Sequence, residues 1–316
     1  MYKKGELVHT RLAYGETLVE LGRINPDVVV FEADIAVSTR TDLFAKEFPE
    51  RFFNVGIAEQ NEMAIAAGAA TCGKISFVST YAVFATMRAC EQIRTFVAYP
   101  HLNVKICPSH GGVTAASDGV THQATEDLGI MRTIPGMTVV VPADAVIVKK
   151  AVHQAAQIDG PVYIRLTRDP LPIIYDNHQD FQIGKAIVIK QGTDIALIAI
   201  GDMVNHAIKA AEELEKSNIS AGLIDMHTLK PIDEDAVVKA AIETGAIVTV
   251  ENHQIYGGLG SAVAEVLVEK HPVPMERIGL KNTFAESGKY EELLSKYGMD
   301  VLSILQAAKR VISRKK

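Results

Sequence analysis

The sequence predicts two α/β domains, each a doubly wound parallel sheet, and three observations carry that expectation. Short β-branched runs alternate with helical patterns along the chain, the signature of parallel strands joined by crossover helices. The alternation lapses between Leu171 and Gly192, where Pro172, Asp176, Asn177, His178, Asp180 and Gly184 show no sustained period and read as a linker. The length of 316 residues exceeds one ordinary core and suits two. The expected division is 1–178 and 179–316.

In the first domain, strands are expected at Val28–Phe31, Phe52–Val55, Ile75–Val78, Val104–Ile106, Thr138–Val141 and Val162–Leu166. Most are apolar at successive positions, as strands covered on both faces are. After the linker a second series begins, with strands at Ile195–Ile200, Ala221–Ile224 and Ala246–Val250. Helical patterns at 204–216, 234–243 and 261–270 fill the gaps.

Composition narrows the function. Hydrophobic residues make up 48% of the chain, so neither domain reads as disordered. A formal charge of −6 argues against a general nucleic-acid binder, which needs a basic stripe, but leaves room for small anionic substrates held by local Arg and His clusters. Cys72, Cys90 and Cys107 are odd in number and lack CxxC spacing, so neither a disulfide framework nor a zinc site is indicated, and a reducing cytoplasm fits. The N-terminal segment has no apolar signal core, and no window offers the ~20 uninterrupted apolar residues of a membrane span.

Sites in open parallel sheets lie beyond the carboxyl ends of strands. Asp34, Glu59, His110 and Arg168 each follow a predicted strand and so share one rim. Glu59 starts an Ala/Gly-rich helix, where apolar neighbours would disfavour its charge and make it a proton donor, unless it serves only the helix dipole. Tyr81 and Phe84, at i and i+3 of a helix start, either sandwich a flat heterocycle or pack in the core.

The loop from His110 to His122, before a helix expected near Gln123, is rich in small residues that let backbone approach a ligand. His110, Asp118 and His122 in it can bond hydroxyls or move protons; otherwise they are solvated loop residues. No two of its histidines have helical ligand spacing, so no metal site is expected. Arg168 either clamps a phosphate or pairs with an acid such as Asp169. The run from Gly257 to Ala262 superficially suggests a nucleotide loop, but its spacing from the preceding strand favours a closely packed helix start.

Together these segments resemble the C-terminal half of transketolase over essentially the whole chain. The resemblance implies a thiamine-diphosphate pyrimidine-binding domain followed by a smaller transketolase C-terminal domain. It identifies Glu59, in Gly-Ile-Ala-Glu-Gln-Asn, with the catalytic glutamate that holds the aminopyrimidine ring, and Tyr81 and Phe84 with the aromatic positions packing on it. Asp34 matches an aspartate near the cofactor. His110 and the run Asp118-Gly119-Val120-Thr121-His122-Gln123 match the loop that contacts donor and acceptor sugars. Arg11, Ser38 and Arg168 match positions that grip the sugar phosphate.

Tyr81 stands where Phe is usual, Met87 where many members have Tyr, and Ala116-Ser117 where Gly-Glu is common. The last change bears on substrate identity rather than cofactor chemistry. No Gly-Asp-Gly segment for the diphosphate and its Mg2+ or Ca2+ is present; Gly201-Asp202 is followed by Met203. The resemblance therefore implies one subunit of a split transketolase, inactive alone. It would complete its site with a separate diphosphate-binding subunit in a heterotetramer and move a two-carbon ketol unit between sugars, usually phosphorylated. Its rivals are a 2-oxo acid dehydrogenase beta subunit, a deoxyxylulose-phosphate synthase fragment and a non-catalytic regulatory partner of a thiamine enzyme.

Overall fold

Two parallel-rich sheets form from the apolar runs. In the computed structural model, which describes residues 2–315, the first sheet has seven strands. Their order is Thr228–Lys230, Thr138–Val140, Val162–Ile164, Val104–Ile106, Ile75–Ser79, Val28–Glu32 and Phe52–Asn54. All neighbours run parallel except the first pair. The second sheet orders Met275–Leu280, Ile247–Gln254, Ile195–Ala199, Ala221–Asp225 and Ile187–Lys190, the last antiparallel to its neighbour.

Several details depart from the sequence reading. The supposed linker contains two strands. Pro170–Pro172 pairs antiparallel with Leu7–His9, and Ile187–Lys190 edges the second sheet. The first segment is too short and proline-bound to show a period, and the second is only partly covered. The strand Thr228–Lys230 leaves the second half of the chain to edge the first sheet, so the sheets interlock. The strand at Met275–Leu280 and the helices Tyr290–Lys296 and Val301–Ile312 were not anticipated. No helix among the described residues is long and apolar enough to cross a membrane.

Helix starts follow ordinary capping chemistry. Asp144 accepts from Ile147 N at 2.9 Å, Asp233 from Ala236 N at 3.2 Å and Asp300 from Ser303 N at 2.9 Å. The helices Thr10–Ile24 and Ala145–Gln157 pack together over the first sheet. One buried apolar cluster runs from Val30 and Phe77 in the first sheet to Leu197 and Val248 in the second.

The registers matter most for function. Glu32 lies opposite both Asn54 and Ser79, and Ile106 opposite Val78 and Tyr163. The carboxyl ends of these strands are therefore level, and the chain leaving each one emerges on the same rim. A parallel bridge between Tyr81 and Ser109 prolongs the alignment beyond the sheet.

A buried acid ties the connecting segment to the second sheet. Asp225 accepts from the Tyr175 hydroxyl at 2.8 Å, while its other carboxylate oxygen has no partner among the described residues. Burial pushes its carboxyl up to about 8. Between the ordinary value of 3.8 and about 8 the folded chain keeps a proton that the unfolded chain has released, so stability falls as pH rises through that window. Asp225→Asn keeps an acceptor for Tyr175 and abolishes the titration. Urea melts should show a gain of about 2 kcal/mol or more at the alkaline end and little at the acid end; an equal effect at both ends would refute this account.

Candidate functional site

The level strand ends place a carboxylate, a ring cluster and two guanidiniums along one edge. Glu59 opens the helix Glu59–Thr71 and is 4% exposed. It borders an open cleft of about 550 Å³ lined by Ile57, Ala58, Gln60, Asn61 and Arg88. Its Oε1 accepts from Arg88 Nη1 at 3.0 Å, so a guanidinium stands on one side of the carboxylate where only apolar neighbours were expected. Arg88 also lies over the Phe84 ring, 3.9 Å from its centroid. Sequence reasoning missed Arg88, although its i+4 spacing from Phe84 was a usable signal.

Two further carboxyls lie behind Glu59. Glu62, one turn along the helix, is fully buried; its Oε1 accepts from Ser79 N at 3.3 Å and its Oε2 has no partner among the described residues. Burial, and then the charge of Glu32, push its carboxyl well above the usual range. Glu32 accepts from Ile35 N at 2.6 Å and Thr39 Oγ1 at 2.9 Å, and burial pushes it up to about 7.

Tyr81, Phe84, His110 and His122 form one ring cluster. Tyr81 lies 4.0 Å from His110 and 5.9 Å from both Phe84 and His122, and His122 meets Phe84 edge-on at 5.2 Å. The turn carrying Phe84 is π-helical, over Phe84–Arg88, a wider winding often found at functional sites.

His110 is 1% exposed and shares a 2.8 Å hydrogen bond between its Nδ1 and Ser109 Oγ. Burial first, then the charges of Arg11, Arg168 and His122, push its imidazole down to about 3. It is a neutral ring at neutral pH, able to donate or accept a hydrogen bond but not to act as a cation.

The anion-facing residues are linked to each other. Arg11 Nη1 donates to Ser38 O at 2.6 Å and to Ser38 Oγ at 3.1 Å, and Nη2 donates to Arg168 O at 2.9 Å. The Tyr81 hydroxyl donates to Ser38 Oγ at 3.1 Å, joining the ring cluster to this group. Arg168 donates to Ala115 O at 3.2 Å and Ser117 Oγ at 3.3 Å, and lies 3.8 Å from Asp118. Asp118, rather than Asp169, is thus its acidic neighbour. Burial, then the charge of Arg40, hold the Arg11 guanidinium below its ordinary value; a dense local positive charge survives in a chain that is acidic overall.

Asp34 stands apart: it accepts from Asn54 Nδ2 at 2.9 Å rather than joining the ring cluster. The helix expected near Gln123 begins at Asp127, because Ala124 is taken up in the loop's closing bridge to Gly111 and Gly112. Among the described residues no group of three or more His, Cys, Asp or Glu side chains is placed to hold a metal ion. The glycine-rich run near 258 serves packing. Glu251 accepts from Leu259 N at 2.7 Å and Gly260 N at 2.8 Å, filling the helix start with the protein's own carboxylate. A Cβ on Gly258 would stand 2.0 Å from it.

Rings, a buried carboxylate and an open cleft suit one face of a flat nitrogen heterocycle, and the guanidiniums suit an anionic group on a polyhydroxylated substrate. Residues 6–173 match the transketolase pyrimidine binding domain and residues 184–304 the transketolase C-terminal domain. A solved split-gene transketolase, in an inactive beta4 tetramer, superposes with a TM-score of 0.90 at 48% identity, covering 98% of this chain and 99% of that one. The 6-deoxy-6-sulfo-D-fructose transketolase subunit SqwH of Clostridium sp. is 42% identical over 96% of this chain and 95% of its own. An apulose-4-phosphate transketolase subunit from Phocaeicola vulgatus is 39% identical over 98% of this chain and 99% of its own. Mouse transketolase is 39% identical, and the chain spans 50% of its length.

The neutral state of His110 can be checked directly. In histidine-labelled protein its ring carbon resonance should stay unshifted from about pH 8 to about pH 5; a midpoint near the ordinary imidazole value would contradict the burial argument.

Proposed function

The chain belongs to the transketolase family, and on that premise we propose that it supplies one half of a two-chain, thiamine-diphosphate-dependent transketolase transferring a two-carbon ketol unit from a ketose to an aldose. The observation that carries this reading is the buried carboxylate of Glu59 on an open cleft, joined through Arg88 to Phe84 and so to the cluster of Tyr81 and His122 rings. We place the domain division at 1–178 and 179–316.

When bound, thiamine diphosphate supplies the nucleophilic carbon and the electron sink for carbon–carbon cleavage. Glu59 holds or gives a proton at its carboxylate, against a ring nitrogen, once Arg88 is drawn aside. Tyr81 and Phe84 fix the plane of that ring, and Asp34 borders the cofactor from the neighbouring loop. His110, neutral, hydrogen-bonds a sugar oxygen through Nε2, because Nδ1 is engaged by Ser109. His122 reaches a second sugar oxygen, and Asp118 accepts from a donor hydroxyl and so reads its configuration. Arg11, Ser38 and Arg168 anchor the anionic end, and that remote binding orients the reacting carbon.

The diphosphate and its Mg2+ or Ca2+ fall to the partner subunit, since this chain offers no Gly-Asp-Gly segment and its glycine-rich helix start is filled by Glu251. Exposed apolar side chains are available to such a partner: Ile57, lining the cleft, is 75% exposed, and Phe53 and Met87 are also left open. Two copies of each chain would form a heterotetramer in the cytoplasm. The loop with two imidazoles and an acid favours a polyhydroxylated ketose over a 2-oxo acid. A phosphate or a sulfonate would satisfy the guanidiniums, and two relatives are named for sugars bearing one or the other.

Ketol transfer from xylulose 5-phosphate to ribose 5-phosphate should appear when this chain is mixed with a subunit carrying the Gly-Asp-Gly segment, and not with either chain alone. Glu59→Gln should leave the mixed assembly intact and lower kcat by about 100-fold or more. Near-normal turnover in that variant would remove Glu59 from the mechanism.

A further inference from the structure

The substrate loop is braced from the second half of the chain as well as by its own turns. Within Val113–Asp118 the backbone at Ala116 sits at φ 52° and ψ −110°, far from helical values, so the 3-10 winding is interrupted there. Besides its bonds to the first domain, at Leu166, Ala124 and Arg168, the loop is held by the second half of the chain. Asn252, 1% exposed at the end of the strand Ile247–Gln254, accepts from Val113 N through Oδ1 at 2.9 Å. Its Nδ2 donates to Asp202 Oδ2 at 2.7 Å, which also accepts from the Tyr290 hydroxyl. The amide is therefore held in one orientation, since only that orientation gives the loop an acceptor and Asp202 a donor.

The fit is close on the loop side. Gly112 has φ +62°, and a Cβ there would lie 2.3 Å from Asn252 Cγ. Asn252 is fixed from behind as well, because Arg165 Nη1 donates to its carbonyl at 3.0 Å. At the other end of the loop Gln123 Nε2 donates to Glu286 O at 3.0 Å. Asp118, His122 and the carbonyl that receives Arg168 all lie between these two attachments.

We infer that the C-terminal domain sets the geometry of the substrate loop, and that Asn252, oriented by Asp202 and Tyr290, is a positioning residue for sugar binding. Asn252 touches no reacting atom; it acts through the backbone of Val113, and the inference rests on the loop's role in the function proposed above. Loss of the amide frees the loop backbone, so the substrate must bear the ordering that the fold now provides. The cofactor-side residues Glu59, Tyr81 and Phe84 lie outside the braced segment.

The test combines hydrogen exchange with kinetics. In Asn252→Ala, amide exchange over 111–123 should quicken about tenfold or more while that of 145–157 stays unchanged. In the reconstituted two-chain enzyme, the same variant should raise KM for xylulose 5-phosphate about tenfold, change kcat less than KM, and leave thiamine diphosphate affinity, read by calorimetry, within about twofold. Asp202→Ala should behave alike, whereas Asp202→Asn, which keeps an acceptor for the Asn252 amide, should stay near wild type. Unchanged exchange in the loop, or exchange raised equally over 111–123 and 145–157, overturns the bracing. Faster loop exchange with unaltered KM overturns the positioning role. If the wild-type mixture fails to transfer ketol units, the proposed activity fails by itself and the exchange arm still decides the bracing.

Discussion

The guanidinium of Arg165 is the joint on which the two halves of this molecule meet. It is 4% exposed and forms a two-pronged pair with Asp127, through Nε at 2.8 Å and Nη2 at 2.9 Å. Its remaining donors reach Ala124 O at 2.7 Å and Asn252 O at 3.0 Å. One side chain thus gathers the first sheet, the end of the substrate loop, the helix Asp127–Thr133 and the longest strand of the second domain. Breaking a buried pair of this kind leaves a lone charge and commonly costs about 3–5 kcal/mol. A planar fork with fixed donor directions can serve four attachments at once, which a lysine could not.

With that joint closed, electrostatics on the rim separate into two regions. Around Arg11, Arg40 and Arg168 positive charge accumulates without enough carboxylates to cancel it, and the imidazole of His110, buried against it, stays neutral. Around Glu59 the opposite holds: Glu32 and Glu62 are buried behind it, and desolvation keeps protons on them. On the function proposed above, an anion would be drawn to the first region and a heterocycle to the second. The rings of Tyr81 and Phe84 stand between, Tyr81 bonded to Ser38 on one side and Phe84 under Arg88 on the other.

Much of this was legible in the sequence, for identifiable reasons. Apolar runs such as Val28–Phe31 and Ile195–Ile200 are long enough and uniform enough to mark buried parallel strands, and strand ends in such sheets mark the rim. That logic reaches Asp34, Glu59, His110 and Arg168 before any coordinates. It does not reach Asn252, Asp202 or Tyr290, whose partners lie up to 139 positions away in the chain. Nor does it reach the swapped edge strand Thr228–Lys230, since three residues carry no period. The segment 170–190 read as a linker because its two short strands derive their order from partners elsewhere. Local pattern reports what a segment buries; it is silent about bonds made across domains.

The pairing of Glu59 with Arg88 shows how a carboxylate buried at the edge of an open cleft is compensated. A carboxylate that is 4% exposed yet borders an open cleft is poorly hydrated, and alone it would carry an uncompensated charge. Arg88, half exposed and resting on Phe84, meets that need while costing little order, since the ring already supports it. The arrangement is adequate for an isolated subunit. Arg88 keeps half of its side chain in solvent, so little packing holds it to the carboxylate. On the function proposed above, a heterocycle at the completed site would replace Arg88 beside this carboxylate, so that completion of the site, rather than the fold of this subunit, would free Glu59 to act.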